Sequence, residues 1–304
     1  MNRAVLKKCL LEARLLFAAC AAALFAFCWV RVYIVSRLEM SQFASIVEKL
    51  WDKVKDFSPV PLSQLLSYSG RIALTYDEPI VVLCVSVFAI ARGSDAVSGE
   101  VNRGTMELLL AQPVARRKVI LAHLLVDVTV IPILCAALFA GLHFGVWIVG
   151  TFTVDAGVYE ALHMKPPNPL PSYTVDANVV RPGLTNMAAL LFAVSGYTMW
   201  LSAAGRSRTR VLGLAILVTL VQFLVNVIGQ LWDGLAFLRP FTVFYYYQPQ
   251  AINLKGAWTV DPGLAWTGKP LVAVNVVLVL GLVGAVGYAM ALRTFVRRDI
   301  PAPL

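Results

Sequence analysis

The chain has 304 residues, of which 59% are hydrophobic and only 14% charged, and its mean hydropathy is +0.74. A soluble domain of this length needs more charge to cover its surface, so the composition excludes an ordinary soluble fold. The net charge of +9 calls for no nucleic-acid partner, because it follows a membrane topology and attraction to anionic lipid.

Apolar runs of about 20 residues match a hydrocarbon layer about 30 Å thick. Six are expected, over about 15–35, 72–92, 118–148, 184–204, 211–232 and 270–292. Lipid gives the backbone no hydrogen-bond partner, so these segments must be helices. They also lack the alternation of barrel strands. The predicted fold is an all-α integral membrane protein with six transmembrane helices, in one domain over 1–304, with no nucleotide-binding domain. Basic residues cluster on one side, at Arg3, Lys7, Lys8 and Arg14, at Arg92, Arg103, Arg116, Arg117 and Lys118, at Arg206, Arg208 and Arg210, and at Arg293, Arg297 and Arg298. The positive-inside rule then predicts both termini in the cytoplasm.

In chain order, residues 2–14 mix Arg and Lys with Val5, Leu6, Leu10 and Leu11, as in a helix lying on the membrane surface or a frayed basic tail. Phe17-Ala18-Ala19-Cys20 only weakly imitates a lipoprotein cleavage site, and the first run reads as a retained anchor. Arg31 can snorkel outward. In the first outer loop, 36–71, Phe43, Ile46, Val47, Leu50, Trp51, Val54 and Phe57 recur at helical spacing, and Pro59 and Pro61 end the pattern.

Residues 93–117 are a polar, glycine-bearing interruption between two apolar runs. Gly93-Ser94-Asp95 is expected to break the second span and start a new helix. Gly99 and Gly104 allow turns or close approach. Thr105 is expected to cap a helix over Met106 to Gln112, stopped by Pro113, with Leu108, Leu109 and Leu110 on its apolar face. Glu100, Arg103, Glu107, Arg116 and Arg117 are expected to surround that face with charge for a partner surface. A rigid charged element joined firmly to two spans suits the receipt of force from another protein.

In the third run, His123 and Asp127 lie one turn apart and are expected to hydrogen-bond. An intramembrane carboxylate is costly unless partnered, so it reads as a proton or cation site or as a buried structural pair. Pro132 is expected to kink the helix, and Gly141-x-x-x-Gly145 permits close packing. The second outer loop, 150–183, carries five prolines and is expected to be extended and irregular. Ser195, Thr198 and Ser202 on the fourth run, and Gln222, Asn226 and Gln230 on the fifth, form polar stripes. These suit either a translocation path or hydrogen-bond contacts between helices. The third outer loop, 233–269, is aromatic, as interfacial segments are, with room for a short re-entrant element. Gly263 to Lys269 imitates a P-loop but is followed by Pro270 where Ser or Thr would hold magnesium. No metal-ligand spacing or catalytic constellation is legible. Cys9, Cys20, Cys28, Cys84 and Cys135 imply no disulfide framework.

Glu100, Gly104, Thr105, Glu107, Leu108, Leu109, Leu110, Pro113 and Arg116 match the cytoplasmic segment after the second span of type-2 ABC transporter permeases, and the chain resembles that family. His123 departs from the pattern, since many relatives carry a lysine at that point. The resemblance implies a permease subunit of an ATP-driven exporter in the bacterial cytoplasmic membrane. It also implies two copies of a separate ABC ATPase, which binds the ATP and magnesium, and a second or related permease. The chain itself then holds no cofactor and catalyses nothing. Two alternatives are a mechanotransmission subunit driving a periplasmic partner without substrate passage, and an ATP-independent membrane enzyme.

Overall fold

A computed structural model of the chain describes residues 3–37, 68–112, 115–153, 165, 167–170, 172–174 and 176–298. The amphipathic stretch 43–57 and Pro113 lie outside the described residues. Among those described, six helices are long and apolar enough to cross a membrane: Ala4–Ser36, Pro79–Asn102, Arg116–Val149, Ala177–Ala204, Arg208–Leu231 and Val276–Arg297.

Helix α1 (Arg3–Arg37) is continuous, so the basic stretch 2–14 is neither a separate surface helix nor a frayed tail. Its Val5, Cys9 and Ala13 are buried against the rest of the chain. At about 1.5 Å per residue, its 35 residues reach about 52 Å, well beyond the hydrocarbon. A short helix α2 (Tyr68–Ala73) and a 3-10 turn (Leu74–Asp77) precede α3 (Pro79–Ser94), so the second span begins seven residues later than expected. Pro79 sits in the first helical turn, where its missing N–H is no loss. Arg31 does not snorkel freely, because its Nη2 pairs with Glu78 Oε1 at 2.6 Å just ahead of that turn.

After α3 the chain passes through a π-helical turn (Asp95–Gly99), α4 (Glu100–Asn102) and α5 (Thr105–Leu110). It then enters α6 (Arg116–Val149), which contains Pro132. The next two spans are α7 (Gly183–Ala204) and α8 (Arg208–Leu231). The loop before α7 is not wholly irregular, since β1 (Thr151–Thr153) pairs antiparallel with β2 (Ser172–Thr174). Following α8, two 3-10 segments (Asp233–Phe241, Val243–Tyr246) lead to α9 (Pro249–Lys255). Strand β3 (Thr259–Val260), α10 (Pro262–Thr267) and β4 (Val274–Asn275) follow. Asn275 caps the last span, α11 (Val276–Arg297), by accepting from the backbone N–H of Val277 and Leu278. That span therefore starts at 276 rather than 270, and Gly263 to Lys269 belongs to a capped turn and a short helix.

Two close helix pairs organise the bundle. In lipid, apolar side chains alone do not drive helices together, so small residues that admit close backbone contact decide the pairing. A Cβ at Gly141 would overlap the backbone of Phe25, and one at Gly145 would lie 2.8 Å from Val32 Cβ, so this GxxxG pair seats α6 on α1. Likewise Gly196 of α7 meets the backbone of Gly284 and Gly287 on α11. Helix α3 crosses between the pairs, where Gly93 leaves room for Thr198. Helix α8 is peripheral and leaves Leu214, Ile216, Leu217, Leu220 and Leu224 exposed.

The aromatic segment folds back over one end of the bundle and buries Phe244, Tyr245 and Tyr247. Tyr247 OH donates to Tyr76 O at 2.6 Å. Asn186 bridges the segment by donating to Tyr246 O at 2.9 Å and accepting from Gln248 N at 2.8 Å.

Candidate functional site

Two polar constellations stand at the other end of the bundle. The outermost lies where the second span ends. At the π turn the intrahelical ladder opens and frees backbone groups. Ser202 of α7 fills the gap, accepting from Val97 N at 3.1 Å and Ser98 N at 3.0 Å while donating to Ser94 O at 3.2 Å. The span thus continues past Gly93-Ser94-Asp95 without the expected break, and the turn is pinned to α7. The helix ends instead at Gly104, whose φ of 72° is left-handed and open on all sides. Glycine adopts this without the Cβ penalty that other residues meet.

Glu100 is only 4% exposed. Its Oε2 accepts from Lys8 Nζ at 2.7 Å and from Thr105 Oγ1 at 2.6 Å, and its Oε1 accepts from Arg103 Nη2 at 2.7 Å. One carboxylate therefore ties the start of α1, the end of the second span, the turn and the start of α5. These bonds are charge-assisted and short, the stronger kind. Arg103 Nη1 also donates to Asp95 Oδ1 at 2.8 Å, and Arg208 Nε at the start of α8 reaches the same oxygen at 3.1 Å. Pairing with Asp95 first, and with Glu100, holds the Arg103 guanidinium above its ordinary range against a smaller opposing effect of burial.

This geometry corrects two expectations. Glu100 does not face a partner surface but forms a buried joint, and Thr105 is not a cap but the first residue of α5, bonded back to Glu100. What α5 offers outward is Glu107 and Leu108, the latter 71% exposed, while Met106 is buried beneath. Leu109 and Leu110 are half-buried against the core. At the start of α6, Arg116 Nη1 donates to Arg298 O at 2.5 Å, and Arg117 is exposed.

The second constellation is buried within the bundle. Asp127 of α6 is 1% exposed and Arg92 of α3 is 7% exposed. Arg92 Nε lies 2.5 Å from Asp127 Oδ1, and Arg92 Nη2 donates to His123 O at 3.3 Å. Asp127 Oδ2 accepts from Ser195 Oγ of α7 at 2.8 Å and from Tyr288 OH of α11, and the two hydroxyls are 2.9 Å apart. Four spans meet on one carboxylate. His123 does not bond Asp127 as expected; its Nε2 faces Cys9 Sγ at 3.6 Å and its Nδ1 has no hydrogen-bond partner. The side chains one helical turn apart diverge because Arg92 enters between the helices and takes the carboxylate.

The polar stripes separate. Of the fourth-span residues, Ser195 joins Asp127, Ser202 joins the π turn, and Thr198 packs on Gly93 with its hydroxyl unpartnered. On α8, Gln222 Oε1 accepts from Val243 N at 3.1 Å and Asn226 Oδ1 from Arg239 Nε at 3.4 Å. Gln230 is half-buried near the end of the same helix. Sequence reasoning missed Lys8, Arg92, Arg208 and Tyr288 as partners. The only signal for Arg92 was an arginine at the end of an apolar run, which the inside rule already explained.

A family model described as ABC-2 family transporter protein matches residues 14–300. No curated protein and no solved structure matches the chain. The match covers nearly the whole sequence, with most of the first candidate span and all of the other five, so the chain is a multi-pass membrane protein that belongs to the ABC-2 transporter permease family.

Proposed function

We propose that this permease is the membrane subunit of an ATP-driven exporter, in which residues 93–117 dock a separate ABC ATPase on the cytoplasmic side. Both termini lie on that side, in the cytoplasmic membrane of a bacterium. ATP and magnesium are held by two ATPase copies, and a second permease copy or a related one completes the transporter. The chain forms one permease domain and carries no catalytic group of its own.

The observation that carries this reading is the contrast within 93–117. Leu108 and Glu107 stand outward on a helix too short to be stable alone, yet its base is fixed by the buried Glu100 joint. An exposed leucine on a rigid mount suits docking, because little ordering is needed when a partner binds. Leu108, Glu107 and Arg117 contact the ATPase. Glu100, Arg103, Gly104 and Thr105 hold the mount, Arg116 stands at its exit into α6, and Pro113 belongs to the same docking segment by sequence. Motion at the mount reaches α1 through Lys8, α7 through Ser202 and α8 through Arg208.

Deeper in the bundle, Asp127 with Ser195 holds α3, α6, α7 and α11 together, with His123 packed beside it. Thr198, Gln222, Asn226 and Gln230 act as contacts between segments rather than as lining of a path. Support for this comes from the hydrogen bonds of Gln222 and Asn226 and from the packing of Thr198 on Gly93, and we assign Gln230 with its neighbours on α8.

Co-purification from native membranes tests the reading, with wild type beside Leu108→Glu and ATP hydrolysis read in the eluate. An ATPase that accompanies wild type and is lost from the variant is the expected result. Equal ATPase in both eluates, or none in either after gentle extraction, overturns it.

A further inference from the structure

At the Ala204 and Arg297 ends of α7 and α11 lies a groove of about 530 Å³, lined by Trp200, Met290, Arg293, Thr294, Arg297 and Arg298. Positions 290, 293, 294 and 297 fall on one face of α11 by helical spacing. The arginines differ in their commitments. Arg298 Nη1 donates to Ala203 O and Gly205 O, both at 2.8 Å, and so closes the end of α7. Arg293 and Arg297 are both exposed, and among the described residues neither has an ion-pair or hydrogen-bond partner. Arg206 stands close enough to Arg298 to repel it. Positive charge is therefore concentrated at a concave site with an indole and a thioether among its walls, and among the described residues no carboxylate lines it.

We propose that this groove binds an anionic membrane phospholipid, its phosphate held by Arg293 and Arg297 and its acyl chain lying on Trp200 and Met290. Guanidinium groups meet phosphate oxygens in a two-pronged geometry. Tryptophan favours the boundary between headgroup and hydrocarbon, and basic pockets between spans take lipid headgroups. The site requires only that the chain lies in a membrane, so it stands or falls independently of ATPase docking.

Native mass spectrometry of the full chain in neutral detergent tests this, with phosphatidylglycerol, phosphatidylcholine and inorganic phosphate as probes. Wild type is expected to retain one phosphatidylglycerol in preference to phosphatidylcholine. Arg293→Gln/Arg297→Gln is expected to weaken that binding about 25-fold, at about fivefold per arginine. Neither arginine is paired among the described residues, so an unchanged Tm in neutral detergent establishes folding. Lys7→Gln/Arg14→Gln, which removes as much charge from another basic surface on α1, should change binding less than twofold. Removal of residues 299–304 should also change it less than twofold. Four results overturn the proposal: equal retention of phosphatidylcholine, equal loss in the α1 variant, displacement by millimolar inorganic phosphate, or a more than tenfold gain on removing 299–304. The last would make the chain's own terminus the occupant.

Discussion

Removing the Asp127 carboxylate tests the buried constellation most sharply. Asp127→Ala leaves Arg92 charged and buried, and it strips the acceptor from Ser195 and Tyr288. Breaking a buried ion pair on one side costs about 3–5 kcal/mol, chiefly because the remaining charge is uncompensated. Asp127→Asn keeps an oxygen for the two hydroxyls. Hydrogen bonds inside membrane proteins average about 0.6 kcal/mol each, so Asn should be milder than Ala by about 1 kcal/mol. The double variant Arg92→Met/Asp127→Leu removes both charges and fills the space with apolar atoms, and it should return to within about 1 kcal/mol of wild type. Reversible unfolding in mixed micelles, arranged as a double-mutant cycle, measures this. A single-variant loss below about 1 kcal/mol, or a double variant as unstable as the two singles summed, would refute the reasoning.

Other consequences follow from the same geometry. Arg31→Ala should cost less than about 1 kcal/mol in that unfolding assay, because the Arg31–Glu78 pair is partly exposed, with side chains 19% and 32% accessible. Gly196→Val should cost more than about 3 kcal/mol or prevent folding, since a Cβ there overlaps the backbone of α11. Gly104→Ala meets open space and only backbone strain, so its loss should be about 1 kcal/mol. Leu108→Glu should leave Tm unchanged while abolishing ATPase co-purification, since the side chain is 71% exposed.

The six spans were legible because hydropathy over about 20 residues is a strong local signal. Helix ends were less so: the second span starts at Pro79, where a proline in the first turn and the preceding 3-10 turn define it, and neither raises local hydropathy above its surroundings. Gly141 and Gly145 were visible as a motif, but their partner, the backbone around Phe25, is more than a hundred residues away in sequence. The functional segment was recognisable from its residue types, yet its interior was not. Glu100 reads as a surface charge because its neighbours are polar, and only the three-dimensional approach of Lys8 turns it into a buried joint. Arg92 and Asp127 lie on different helices, so no periodicity connects them, and the nearby His123 offered a local but incorrect partner. Gln222 and Asn226 repeat every four residues, a spacing that puts them on one face without saying whether that face meets solvent, lipid or protein.

The most direct measurement of the coupling claim is the reactivity of the Leu108→Cys variant toward a membrane-impermeant maleimide. The unsubstituted chain is the background, since Cys9, Cys20, Cys28 and Cys135 are buried and Cys84 is partly so. The account predicts labelling of the introduced thiol in inside-out vesicles but not in intact cells, slowed more than tenfold when the ATPase is present and restored when it is stripped away. Labelling in intact cells, or a rate indifferent to the ATPase, would contradict it.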